Sequence, residues 1–134
     1  MTKLSAMRVY RLTEDAAGES SFTDGELVRS LNDFAPPALP FYTSAIEKAS
    51  GYTAIRIPVG WVGELHRSPY RQMMFCCAGA LKVTATDGSV RTVQAGDAWL
   101  MADNHGKGHR SEVVSAVAFD AVIIILAGPE NSSF

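Results

Sequence analysis

Three side chains that can share a ligand stand at the ends of apolar segments. His66 and Gln72 lie on either side of a turn, and Gln72 opens the apolar run 73–78. A third candidate, His109, follows the glycine-rich segment 106–108 and begins another strand-like stretch. Imidazole and amide groups can each donate and accept hydrogen bonds. The three side chains therefore either bind one polar group in a shared pocket or form hydrogen bonds locally in their own turns.

Strand alternation predicts which neighbours face the same pocket. Residues two apart in a strand point to the same side, so Met74 and Cys76 should share the face of Gln72. Tyr70 and Ser68 have the same parity upstream of the strand. We therefore predict that Ser68, Tyr70, Met74 and Cys76 contact a substrate or ligand.

The second half of the chain has the pattern of an all-β fold. Short segments rich in β-branched and aromatic residues alternate with turn residues, as in sandwiches and barrels. Asp87-Gly88 is a strong hairpin-turn signal because both central positions of that turn need positive φ. The predicted strands are 53–59, 72–78, 80–86, 90–94, 97–102, 110–116 and 119–127.

The first half is less regular. Segment 7–12 alternates and predicts a strand, whereas 13–25 is rich in Gly, Ser and Asp and predicts a loop. Segment 32–42 contains three prolines, which argues against a central strand and favours an extended surface segment. Segment 43–51 predicts a short helix that ends at a glycine.

The totals describe one ordinary globular domain. The chain has 134 residues, and we expect residues 1–52 to pack on a barrel formed by 53–134. The net charge is −2 and the 12 Lys and Arg residues are scattered, so no nucleic-acid partner is expected. The longest apolar run, 121–128, is much shorter than the roughly 20 residues of a membrane span. No membrane partner is expected either.

Cysteine usage predicts a reducing compartment. Cys76 and Cys77 are adjacent on a predicted strand and point to opposite faces, so a disulfide between them would be strained. We interpret both as free thiols, which are typical of cytoplasmic proteins. The N-terminal residues also lack the apolar stretch of a secretory signal.

The spacing around His66 resembles the first motif of the cupin superfamily. That motif has Gly, five residues, His, one residue, His, three or four residues, Glu, six residues, Gly. Here the corresponding positions hold Gly60, His66, Ser68, Gln72 and Gly79. The spacing matches throughout, while Ser and Gln replace the second His and the Glu.

The second cupin motif is matched less completely. It begins at Gly96, but Ala102 replaces the expected proline and the loop to His109 is about two residues longer than usual. Glu112 stands where an Asn is expected. The resemblance covers roughly residues 53–127, and the GKGH segment is similar to that of small single-domain cupins, most of which have no assigned reaction.

The resemblance implies a fold and a metal site. It implies a cupin-type double-stranded β-helix, a jelly-roll barrel, with an irregular N-terminal segment. His66, Gln72 and His109 would be the metal ligands, for Zn, Mn, Fe, Ni or Co. An amide oxygen brings no charge to a dication, so affinity should be lower than in a cupin with the carboxylate, or metal should be absent.

Two functions remain open at this point. The first is a metal-dependent enzyme of lyase, isomerase, cyclase or dioxygenase type acting on a small oxygenated metabolite. The second is a metal-free cupin that binds a small ligand as a sensor or accessory protein. Single-domain cupins commonly dimerise, so a homodimer using segments 34–42 and 119–127 is expected.

Overall fold

The computed structural model describes residues 6–128, so the two ends of the chain, 1–5 and 129–134, lie outside the described residues. Within that range the chain forms strands and irregular connections, without a helix that could cross a membrane. The strands are β1 (Ala6–Glu14), β2 (Ser20–Val28), β3 (Ser30–Asn32), β4 (Phe41–Thr43), β5 (Ala49–Ile57), β6 (Val62–His66), β7 (Gln72–Ala78), β8 (Ala80–Ala85), β9 (Val90–Gln94), β10 (Ala98–Met101), β11 (His109–Val113) and β12 (Phe119–Leu126).

Two sheets make up the body of the fold. The larger has the order β2-β1-β10-β7-β12-β5 and the smaller has the order β6-β11-β8-β9. Neighbouring strands are antiparallel except β1 and β10, which are parallel. Side chains from both sheets meet in one core cluster. The predicted all-β, jelly-roll fold class is confirmed.

Alternation along β7 places its side chains as the sequence predicts. Met74 and Cys76 lie in the core between the sheets. Met73 is equally buried but belongs to a second apolar cluster on the opposite face, against which Phe75 packs. Both faces of the larger sheet are therefore covered, which explains why this strand is almost continuously apolar.

Two local predictions in the first half are wrong. The sequence predicts a loop at 13–25, but residues 20–25 of that segment form most of β2, which pairs with β1 along its whole length. The sequence predicts a helix at 43–51, but the chain is irregular from 44 to 48 and then enters β5. At 20–25 and at 49–51, backbone pairing with another strand overrides the weak local preference.

The N-terminal hairpin fixes the glycine-rich loop that precedes β11. The Glu14 carboxylate accepts hydrogen bonds from the backbone N–H groups of His105, at 3.1 Å, and Gly106, at 2.7 Å. The backbone N–H of Lys107 donates to the carbonyl of Gly18 at 2.9 Å. This loop is therefore positioned by β1, β2 and their turn.

Gly108 is a position where any side chain should damage the fold. Its φ is +89°, and a Cβ at this position would overlap the backbone carbonyl of His66. Gly88 has a similar φ of +93°, but a Cβ added to it would meet no heavy atom within 4 Å. An alanine substitution at Gly88 therefore introduces backbone strain without a steric overlap. Left-handed backbone costs an L-residue about 1–2 kcal/mol.

We predict that Gly108→Ala lowers the free energy of unfolding well beyond Gly88→Ala. Gly88→Ala should cost about 1 kcal/mol, from backbone strain alone. Gly108→Ala should cost at least about twice as much, because the carbonyl it meets is backbone and cannot rotate away. Denaturant titrations of both variants provide the measurement. Equal losses would show that the close approach of Gly108 to His66 is not present.

Candidate functional site

Antiparallel pairing brings two predicted site residues together. His66, the last residue of β6, lies directly opposite His109, the first residue of β11. Side chains opposite each other on paired strands are close enough to touch. The two imidazole ring centres are 4.7 Å apart, with their planes inclined by 56°.

A buried carboxylate orients one of these imidazoles. Oδ2 of Asp103 lies 2.5 Å from Nδ1 of His109, and the hydroxyl of Ser68 donates to Oδ1 at 2.7 Å. All three side chains are fully buried. An ionised carboxylate only accepts hydrogen bonds, so Nδ1 of His109 carries the hydrogen. Nε2 is left for a ligand.

The contacts of Ser68 exclude it as a nucleophile activated by His109. In a Ser-His-Asp triad the serine hydroxyl bonds the imidazole, and the imidazole bonds the carboxylate. Here the carboxylate of Asp103 is in the middle, with the Ser68 hydroxyl on one oxygen and the imidazole on the other. Ser68 therefore acts as a positioning residue for Asp103.

His66 has the same free nitrogen as His109. Its Nδ1 lies 2.7 Å from the carbonyl oxygen of Glu64, which can only accept a hydrogen bond. Nδ1 therefore carries the hydrogen, and Nε2 is available. Histidines that bind metal ions through Nε2 are held in this way by a carboxylate or carbonyl at Nδ1.

Gln72 reaches the site from the other sheet. It is buried at the start of β7, directly opposite Met101 of β10. Its amide nitrogen donates to the Met101 sulfur at 3.3 Å. A thioether is a weak acceptor, so this hydrogen bond orients the amide but is itself weak.

These groups surround a cavity of about 290 Å³ between the two sheets. Its walls are mainly hydrocarbon and aromatic, including Ile55, Ile57, Trp61, Leu81, Ile123 and Ile125. Its polar side chains are Thr53, His66, Ser68, Gln72, His109 and Ser111, together with Tyr70 and the indole of Trp99. Within residues 6–128 no Lys, Arg, Asp or Glu side chain lines it. An apolar pocket with a few convergent polar groups is the usual form of a small-molecule site.

The predicted substrate-binding residues divide into two groups. Ser68, Tyr70 and Met74 line the cavity. Cys76 is buried in the core outside this lining, and its thiol donates to the carbonyl of Ala78 at 3.5 Å. Burial raises the pKa of the Cys76 thiol to about 11. Cys76 is therefore a neutral thiol at physiological pH.

The glycine-rich loop places its polar side chains away from the cavity. Lys107 pairs with Glu19 at 3.0 Å. The carbonyl of His105 accepts a hydrogen bond from Arg67 at 3.2 Å. Neither His105 nor Lys107 lines the cavity. The loop therefore positions His109 through its backbone hydrogen bonds to Glu14 and Gly18.

Sequence reasoning missed two residues of the site. Asp103 follows the apolar segment of β10, six residues before His109, where an isolated carboxylate ahead of a glycine-rich loop was a usable signal. Trp99 shares the face of Met101 on β10, so strand parity places it towards the core. Only the folded structure reveals that the two side chains contact His109.

Comparison with solved structures finds proteins that are similar to this chain in structure. The cupin domain of Cnp3 from Schizosaccharomyces pombe has 12% sequence identity, with 92% of this chain and 85% of that chain covered and a TM-score of 0.46. A conserved protein of unknown function from Streptococcus pyogenes has 18% identity, with 64% of this chain and 72% of that chain covered and a TM-score of 0.42. No protein-family model and no curated protein matches the chain.

At such identities the likeness is one of fold, and fold does not imply function. The chemistry of this cavity therefore has to be argued from the side chains of this chain. The cupin resemblance of the motif spacing supplies a hypothesis for them, namely a metal ion between His66 and His109.

We predict that Asp103→Ala is strongly destabilising and that Ser68→Ala is mildly so. Removing the Asp103 carboxylate leaves two buried donors, the Nδ1–H of His109 and the Ser68 hydroxyl, without an acceptor, at about 1–3 kcal/mol for each donor. Losing the Ser68 hydroxyl removes one hydrogen bond, which costs about 1 kcal/mol. Denaturant unfolding of the two variants measures the difference. A loss below about 1 kcal/mol for Asp103→Ala would contradict the role of this carboxylate.

Proposed function

We propose that this chain binds a small oxygenated molecule in the barrel cavity next to a divalent metal ion held by His66 and His109. The observation that carries the proposal is the shared tautomer of the two imidazoles. Both Nδ1 atoms are engaged by fixed protein acceptors, and both side chains line the same cavity. Each imidazole therefore offers Nε2 as a ligand.

The ring separation is compatible with a shared ion. Two imidazoles that bind one ion through nitrogen at about 2.1 Å have ring centres roughly 4.5–5.5 Å apart. The observed value is 4.7 Å. This agreement supports the fit of a metal ion to these two side chains.

The proposed site differs from a strong metal centre in its third ligand. No cluster of three His, Cys, Asp or Glu side chains able to hold a metal ion is present in residues 6–128. We propose the amide oxygen of Gln72 as the third ligand, since its nitrogen is already directed at Met101. Such a neutral set binds dications more weakly than one with a carboxylate.

In this proposal the protein is an enzyme. A bound metal ion would supply Lewis acidity that polarises an oxygen of the substrate. Asp103 keeps the His109 imidazole in one orientation. Gln72 faces the imidazoles from the opposite wall of the cavity, and the apolar side chains of the lining exclude water from the substrate. The roughly 290 Å³ of space suits a small metabolite.

A metal-free binding protein is the alternative, and the neutral donor set favours it. Ser68 and Gln72 occupy positions where the cupin motif has His and Glu. In that case the imidazoles and the Gln72 amide would bind the ligand by hydrogen bonds in a sensor or accessory role. Metal content separates the two functions.

Metal analysis on the purified chain without an affinity tag tests the proposal. We expect about one ion per chain after incubation with Mn, Fe, Ni, Zn or Co. His66→Ala and His109→Ala should lose it, while His105→Ala is the matched control because His105 lies outside the cavity lining. Gln72→Glu should raise the affinity roughly tenfold or more, since it restores a charged ligand.

Two results would count against the metal. One is a wild-type protein that takes up none of these ions. The other is an ion that His105→Ala removes as effectively as His109→Ala. The first would leave the metal-free binding function in place.

A second copy of the chain is the partner we propose for the exposed hairpin formed by β3 and β4. Large apolar side chains are concentrated on this hairpin and its flanks, and contiguous exposed apolar surface usually marks an interaction site. They are Val28, Leu31, Phe34, Leu39, Phe41, Tyr42 and Ile46. Next to them an apolar groove on the outer sheet face, lined in part by Leu27, Ala45, Phe75 and Leu126, offers a complementary surface for the same hairpin of another copy.

We predict that two substitutions on this hairpin change the molar mass of the protein in solution. Leu39 and Ile46 are 84% and 87% exposed, so changing both to Asp should leave the monomer fold intact while abolishing a dimer. Light scattering during size-exclusion chromatography gives the mass. Val117→Asp, at an exposed valine between β11 and β12, is the control. A wild-type mass of one chain at micromolar concentration would contradict the proposal.

The compartment proposed is the cytoplasm. Both cysteines are free, and one of them, Cys77, is exposed. Exposed unpaired thiols persist in reducing compartments.

A further inference from the structure

Ser111 carries a buried hydroxyl to which the folded chain supplies no hydrogen-bond partner. The residue lies in the middle of β11 and is 6% exposed. Within residues 6–128 its hydroxyl forms no hydrogen bond, and its oxygen remains open to a molecule the size of water. A ligand that displaces water from such a group loses affinity unless it replaces the lost hydrogen bond. A ligand that fills the cavity should therefore place a polar atom at Ser111.

Strand alternation directs the Ser111 side chain into the cavity. Along β11 the residues His109, Ser111 and Val113 are buried, whereas Arg110 and Glu112 are exposed. Ser111 therefore shares the inward face of His109, and both residues line the cavity between the sheets. Residues two apart on a strand are separated by roughly 6–7 Å. The hydroxyl thus lies one such step along β11 from the histidine pair.

The surroundings of Ser111 make its hydroxyl an isolated polar group. Its paired neighbour on β8 is Val83, which is fully buried, and its paired neighbour on β6 is Gly63. Gly63 has no side chain, and the hydrocarbon edge of the Trp61 ring occupies the space that a Cβ there would need. Neither Val83 nor that edge of the ring can form a hydrogen bond with the hydroxyl. Ser111 is thus a single polar position on an apolar part of the wall.

We propose that Ser111 binds a second oxygen of the ligand, so that the site selects small molecules with two oxygen functions separated by a short hydrocarbon segment. The inference rests on the proposed function, in which the first oxygen lies at the metal ion held by His66 and His109. The Ser111 hydroxyl can donate to a carbonyl or share a hydrogen bond with a ligand hydroxyl. Met74 and Leu81, which also line the cavity, are available to the hydrocarbon between the two oxygens. Ser111 is thus a specificity-determining residue.

Two probes that differ only at one end test the proposal. Pentanoate and 5-hydroxypentanoate each carry a carboxylate for the metal ion, but only the second has a hydroxyl at the other end. Their dissociation constants are measured by NMR titration of the full chain loaded with zinc. Ser111→Ala removes the hydroxyl of the protein, and Ser111→Thr keeps it. Ser30→Ala is the matched control, because Ser30 is an exposed strand residue outside the cavity lining.

In the wild-type protein we expect 5-hydroxypentanoate to bind roughly three- to tenfold more tightly than pentanoate, the range of one net hydrogen bond. Ser111→Ala should abolish or reverse this preference, because the ligand hydroxyl would be buried without a partner. Pentanoate should bind this variant as tightly as it binds the wild type. Ser111→Thr should retain the preference, and Ser30→Ala should leave both dissociation constants unchanged.

The stability of the ligand-free protein separates a ligand-binding role of Ser111 from a structural one. A serine whose hydroxyl bonds another group of the fold lowers stability when it is changed to alanine. The Ser111 hydroxyl has no such partner in residues 6–128. Ser111→Ala should therefore unfold at the same denaturant concentration as the wild type or at a higher one. Loss of selectivity without loss of stability is the result that we expect.

Three results would overturn the inference, and a fourth separates it from the metal ion. Equal binding of both probes to the wild type, or a preference that Ser111→Ala retains, would remove the role of Ser111 but leave the cavity as a ligand site. A lower unfolding midpoint for Ser111→Ala would assign its hydroxyl to the fold. Binding of neither probe would overturn both the cavity proposal and this one. Affinities and a preference that persist after a chelator has removed the zinc would overturn the metal ion and leave the Ser111 contact in place.

Discussion

The Asp103 carboxylate is the group on which the site depends. A buried charge without partners is costly, and Asp103 has its two partners in Ser68 and His109. Ser68 belongs to the connection between β6 and β7, whereas Asp103 lies in that between β10 and β11. One carboxylate thereby joins two loops at the same end of the barrel and sets the tautomer of the buried His109 imidazole. Replacing Asp103 would disturb both the position of the two loops and the tautomer of the His109 imidazole.

The rest of the fold supplies the geometry around that carboxylate. The pairing of β6 with β11 sets His66 opposite His109, while the larger sheet brings Gln72 and Trp99 from the other side. The N-terminal hairpin fixes the glycine-rich loop through Glu14. The result is a cavity that two imidazoles and one amide line together with a few hydroxyl groups, on otherwise mainly hydrocarbon and aromatic walls.

Much of this arrangement could be predicted from local sequence, and the remainder depends on contacts between distant segments. Alternation gave the inward face of β7, and the motif spacing singled out His66, Gln72 and His109, which line one cavity. The helix expected at 43–51 was wrong because pairing with β12 extends β5 through its end. Asp103 was missed because its importance comes from a contact with Ser68, 35 positions away. No local pattern encodes that contact.

If His66 and His109 offer Nε2 to one shared ion, nitrogen NMR of the histidine side chains during a zinc titration will show both responses at once. The chain has three histidines, and His105, outside the cavity lining, is an internal reference. We expect the Nε2 signals of His66 and His109 to shift together with one saturation point, both Nδ1 atoms to keep their hydrogens, and the His105 signals to stay unchanged. A response of only one of the two, or binding through Nδ1, would contradict the shared ion.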